Sequence, residues 1–334
     1  MKSVSRIDKS SYLMYIVMMF VCMGCVMSCS QKKEANEGTI AKTVVTIPYT
    51  EKQMLMISTS QRNAVNKAYT EEIWSSSMDK EGHTYDEVFE AQMKEFFIRL
   101  YVMSMSAQSR GLILTDKENE AVLKLSNEYL AEAAKSDTKL KDITFDEVNM
   151  MFRDYALANK LSKAVIMSKE LEVSENEARI MDLEYIVLND REKAESVLAE
   201  VTAEGADFAS IARKASTEAE IKIKASHDDL PKEADKQVSL LSDSEISGII
   251  EAEGKYYIYK CILGYDEAAT AERKEAMEKS RRDEALNKIY DEYMESSNIA
   301  LNSEEWNKFV QDEQTTFEGA DFFAAYNKEF KLLK

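Results

Sequence analysis

The chain has 334 residues, enough for two domains of ordinary size, and carries 61 acidic against 43 basic side chains for a net charge of −18. That balance excludes a nucleic-acid binder, whose phosphate contacts need clustered lysine and arginine, and keeps the folded surface off anionic lipid. The nine glycines form no phosphate loop, the two histidines (His83 and His227) and four cysteines lack metal-site spacing, and no nucleophile signature occurs, so no cofactor, metal or nucleotide is expected.

Lys2, Arg6 and Lys9 precede an apolar run from Tyr12 to Met27 that ends in Val26-Met27-Ser28-Cys29. The run is short for a membrane span, which takes about 20 apolar residues, and it has the order of an export signal. Residues 1–28 are expected to be a lipoprotein signal peptide, with lipid on the Cys29 thiol. An uncleaved anchor, or cleavage elsewhere such as before Cys25, is the alternative. Polar residues 29–39 read as a flexible tether. The folded part is then extracytoplasmic and lipid-anchored to a bacterial membrane, at the cell surface or on the periplasmic face. Cys261 would be the one unmodified thiol, so the fold must rest on its core and not on disulfides.

Thr43–Ile47 reads as a short strand ended by Pro48, and helices dominate from there to about residue 172. Met93, Phe96, Phe97, Leu100, Tyr101, Met103 and Ala107 follow helical spacing, with Gly111 as the stop. Thr115 with Glu118, Thr144 with Glu147 and Ser174 with Glu177 are capping boxes that open further helices. The many methionines on these faces fit a core, or an adaptable apolar binding surface. Near residue 181 the rhythm changes. Leu183 to Leu188 reads as a strand, Asp190 to Thr202 and Gly205 to Ala212 as helices, and Tyr256 to Ile262 as a final strand. A long charged helix follows from Ala271 to about Ser296. Phe322, Phe323, Tyr326 and Phe330 then share one helical face that docks on the protein's own helical domain or on a partner, with Phe317 before them.

Residues 178–265 resemble a parvulin-type peptidyl-prolyl isomerase domain. The resemblance rests on Tyr185-Ile186-Val187-Leu188, Gly205-Ala206-Asp207-Phe208-Ala209-Ser210-Ile211-Ala212, Ser216-Thr217-Glu218, Leu241 to Ser247, and Gly254 to Lys260, in the family's order. The helical flanks are similar to those of the SurA and PrsA foldases. This resemblance implies a mostly α protein with an inserted α+β parvulin-like domain. Residues 40–177 would form a helical chaperone domain, completed by a C-terminal helix and aromatic tail in 266–334. It also implies that unfolded or partly folded exported polypeptides are the partners.

The family places one histidine on the first strand and one on the last. Tyr185 and Tyr257 stand at those positions here, and the family's glycine-rich connection is replaced by Ile221 to Pro231. By resemblance Tyr185, Ser216 and Tyr257 are the catalytic candidates if the domain is active, and Phe208, Leu230, Tyr185 and Tyr257 are the peptide-binding candidates. The two tyrosines could equally pack in the domain core, Ser216 could be a turn or cap, and His227 reads as a solvated loop residue. Isomerisation is a rotation over a barrier of about 20 kcal/mol, and a neutral phenol offers one hydrogen bond where an imidazole network would offer more. The expected function is a membrane-anchored chaperone with weak or absent isomerase activity. An active isomerase and a surface scaffold that reuses the fold are the alternatives.

Overall fold

The structure, a computed structural model, describes residues 43–312 and 314–333. The expected signal peptide, Cys29 and the tether lie outside the described residues. Residue contacts divide the chain into two units, one of residues up to 167 together with 283–334, the other 168–282. Among the described residues no helix is long and apolar enough to cross a membrane.

The first unit begins with β1 (Thr43–Ile47) and α1 (Glu51–Ala68). The Thr50 side chain and Gln53 form a capping box that starts α1. This helix is buried almost all round, polar residues included. Its hydroxyls are satisfied locally: Thr59 Oγ1 donates to the Leu55 carbonyl at 2.7 Å. α2 (Tyr85–Ser109), α3 (Asp116–Ala133) and α4 (Phe145–Ile166) each open on a threonine capping box, at Thr84, Thr115 and Thr144. Their apolar stripes meet in one core that holds Phe97, Leu125, Phe152 and Leu157.

The second unit opens with a single turn, α5 (Glu175–Ala178), capped by Ser174. β2 (Met181–Leu188), α6 (Arg191–Val201), α7 (Phe208–Ala215), β3 (Lys222–Ala225), α8 (Lys232–Val238), β4 (Ile250–Ala252) and β5 (Lys255–Leu263) follow. The strands form one sheet in the order β3-β2-β5-β4, antiparallel throughout. β2 is central and buried on both faces, so its pattern is nearly continuous and not alternating. One face carries Ile186, Leu188 and Ile258 against α6 and α7. The other carries Met181, Leu183, Tyr259 and Cys261 against Ala234 and Val238 of α8.

The chain leaves the second unit in α9 (Glu267–Ser296) and continues into β6 (Ser297–Leu301), α10 (Ser303–Asp312) and α11 (Phe322–Lys331). β6 pairs in parallel with β1, so residues 254 apart in sequence, such as Val45 and Ile299, become neighbours. The aromatic tail lies in the first unit's own core. Phe322, Phe323, Tyr326 and Phe330 are all buried, and Phe322 stacks on Phe152 with ring centroids 4.4 Å apart. The fold is thus helical with an inserted α+β domain, and N-terminal and C-terminal segments together build the helical unit.

Candidate functional site

β2 and β5 position the candidate residues. The register sets Tyr185 opposite Tyr259 and Val187 opposite Tyr257. Residues two apart on a strand share a face, so Tyr257 and Tyr259 stand side by side with Tyr185 across from the latter. Their rings stack: 6.0 Å between Tyr185 and Tyr259, and 6.0 Å between Tyr257 and Tyr259, with interplanar angles of 24° and 9°. The result is a stripe of three tyrosines in which Tyr259 is buried and the outer two are partly exposed. The two family positions are therefore diagonal across the ladder. Among the described residues none of the three hydroxyls has a hydrogen-bond partner.

Burial raises the pKa of all three phenols above the ordinary value. At Tyr185 the Glu218 and Glu220 carboxylates add to this; at Tyr257 the Lys255 ammonium opposes it, while Glu253 and Glu218 add. Each phenol is neutral at physiological pH. It offers an apolar ring face and one hydroxyl, and no group that exchanges a proton near pH 7.

Ser216 is placed otherwise. Its Oγ accepts from the Val187 amide at 3.1 Å and the Glu218 amide at 3.2 Å. Thr217 N donates to the Val187 carbonyl at 2.8 Å, and Tyr185 N to the Ile221 carbonyl at 2.9 Å. Residues 216–221 therefore extend the sheet edge beside β2, and Ser216 is the pin that holds them there. Phe208 is also misplaced by the sequence reading: it begins α7, is 1 % exposed, and packs against Ile258 on the opposite sheet face. It cannot line a groove with Tyr185 and Tyr257, because the sheet stands between them. Leu230 does share their face. It also lines a cavity of about 10 Å³ with Arg179, Met181, Ala225, Ser226, His227 and Asp235. That volume suits a single water and no peptide side chain.

His227 is not a free loop residue, since its Nδ1 lies 2.6 Å from Asp235 Oδ1. Tyr259 was missed by sequence reasoning, although its alternation with Tyr257 along β5 is the signal that puts both on one face. In the first unit, Asp79, Glu81 and His83 hold possible cation ligands within 4.8 Å of one another on an exposed loop. That loop is closed by its own bonds, because Asp79 Oδ1 accepts from three successive amides, Glu81 to His83.

Residues 171–262 match the PPIC-type PPIASE domain family. The chain is 27 % identical over 206 residues to the foldase protein PrsA of Streptococcus equi subsp. zooepidemicus (strain MGCS10565), covering 55 % of this chain and 62 % of that one. It is 32 % identical over 117 residues to foldase protein PrsA 1 of Streptococcus pyogenes serotype M3 (strain SSI-1), covering 32 % and 33 % of the two chains. The match thus spans less than two thirds of either relative's length. A solved peptidylprolyl isomerase (PrsA) from Bacillus cereus overlaps 72 % of this chain and 100 % of its own, at 12 % identity and a TM-score of 0.32.

Proposed function

We propose that this chain, of PrsA type with a parvulin-like domain, is an extracytoplasmic chaperone, anchored through Cys29, that holds unfolded exported polypeptides and has weak or absent prolyl isomerase activity. The observation that carries the reading is the tyrosine stripe. It stands where the family places its histidines, it is partly exposed, and its hydroxyls are unpartnered and neutral. A stripe of rings suits prolyl and aromatic side chains, which pack on tyrosine faces. Catalysis of amide rotation would need hydrogen bonds preorganised on the twisted amide. Three phenols without a fixed partner supply little of that preorganisation. Similarity to the PrsA foldases supports a folding role.

The test is suppression of aggregation. A chemically unfolded exported protein is diluted into a series of concentrations of the mature chain, and light scattering is followed. The reading expects suppression as the chaperone approaches stoichiometry, weakened when Tyr257 is replaced by alanine. No suppression at any ratio contradicts it.

A further inference from the structure

The loops beside the stripe decide its charge. Thr217 and Ile221 are bonded to the backbone of Val187 and Tyr185, so the segment between them runs along the stripe's edge and carries Glu218 and Glu220. At the other side the β4–β5 turn carries Glu253, held in a left-handed backbone conformation at φ 52°, four residues before Tyr257. Lys255 is the one cation among them, and its Nζ is paired with Glu218 Oε1 at 2.9 Å. Glu220 and Glu253 have no ion-pair partner among the described residues. Lys222 and Lys260 belong to the opposite face: Lys222 pairs with Glu184 at 3.2 Å, and Lys260 lies over Phe208 at 6.0 Å.

We infer that the stripe, with Glu220 and Glu253 at its rim, selects client segments in which a prolyl or aromatic residue is flanked by lysine or arginine. The inference rests on the reading that the tyrosines hold peptide. The apolar residue packs on the exposed rings of Tyr185 and Tyr257, and the flanking cation reaches a carboxylate left uncompensated beside them. A cation that falls short of the carboxylates meets a tyrosine face, which attracts it as well. An acidic flank meets like charge on both sides, so discrimination comes from attraction and repulsion together.

The experiment uses the mature chain and three fluorescent peptides that share an Ala-Phe-Pro-Leu core, flanked on both sides by lysine, serine or glutamate. Anisotropy gives their affinities at low and high salt. The lysine-flanked peptide should bind about five-fold tighter than the serine-flanked one, and the glutamate-flanked peptide about five-fold weaker, at low ionic strength. At about 1 M salt, where screening acts within about 3 Å, the differences should shrink below about two-fold. The Glu220→Gln/Glu253→Gln variant should bind the serine-flanked peptide unchanged and lose the ranking. Equal affinities in the unsubstituted protein, or a ranking that survives in that variant, overturns the inference. Loss of serine-flanked binding in Tyr257→Ala, with no ranking by charge, removes this inference alone. Serine-flanked binding that is unchanged in Tyr257→Ala removes the peptide-site reading as well.

Discussion

Replacing Phe322 by alanine tests whether the C-terminal tail is structural core. Phe322 is 0 % exposed. Its ring stacks on Phe152 at 4.4 Å and 18° and meets Tyr155 and Phe323 edge-on at 5.3 and 5.2 Å. Its backbone amide donates to Ser60 Oγ at 2.9 Å, a bond the substitution keeps. The loss is therefore that of a ring and its cavity, about 3–5 kcal/mol for a buried Phe→Ala. The three ring contacts place it toward the upper end, at about 4 kcal/mol. Both tryptophans, Trp74 and Trp306, belong to the helical unit, so tryptophan emission during urea unfolding follows that unit alone. With a slope of about 2–3 kcal/mol per molar urea, the midpoint should fall by about 1.5 M. A fall worth less than about 1 kcal/mol would refute the account of the tail.

Three further outcomes follow from the same geometry. Asp154 is buried among Tyr49 and Ser104, whose hydroxyls donate to it at 2.9 Å each, and burial raises its pKa against the opposing effect of those bonds. A carboxyl that binds its proton better folded than unfolded contributes most at acid pH and loses that contribution as pH rises from the unfolded value of about 3.9 to the higher folded one. The urea-midpoint difference between the unsubstituted protein and Asp154→Asn should fall across that window and level off above it; a rise with pH contradicts the argument. Ser216→Ala removes the acceptor for the Val187 and Glu218 amides and should cost about 1–2 kcal/mol, read as faster hydrogen exchange at Val187, with affinity for the serine-flanked peptide kept within about two-fold. Tyr185→His with Tyr257→His should raise isomerisation of a prolyl peptide above that of the unsubstituted protein in a protease-coupled assay. An unchanged rate would put the block in the 221–231 connection instead.

Local signals carried most of the elements. The boxes at Thr115 and Thr144 start helices where threonine and glutamate stand three apart, because the two side chains satisfy amides that the helix leaves open. Helical spacing of Phe322, Phe323, Tyr326 and Phe330 gave a buried face, although not what buries it. What stayed illegible depends on long-range pairing. β1 and β6 are 254 residues apart, and nothing in Ser297–Leu301, which continues a charged helix, announces a parallel partner. Phe208 was assigned to the peptide groove because its phrase matches the family, yet periodicity states only that it points inward. It does not say which face of a two-sided sheet its helix covers. Ser216 was offered as a catalytic group on the same kind of match, and its acceptor capacity is taken by two amides. Tyr259 needed the strand register, which sets it and not Tyr257 opposite Tyr185.

The central claim is a peptide-holding stripe in place of a catalytic centre, and refolding of a proline-limited test protein addresses it most directly. Its slow phase, set by cis–trans isomerisation over tens to hundreds of seconds, is followed with the mature chain at ratios from far below stoichiometric to equimolar. The account predicts an unchanged slow phase at substoichiometric amounts, with yield improved only near equimolar. A slow phase that accelerates in proportion to small amounts of the protein would contradict it and would make the tyrosine stripe a catalytic site.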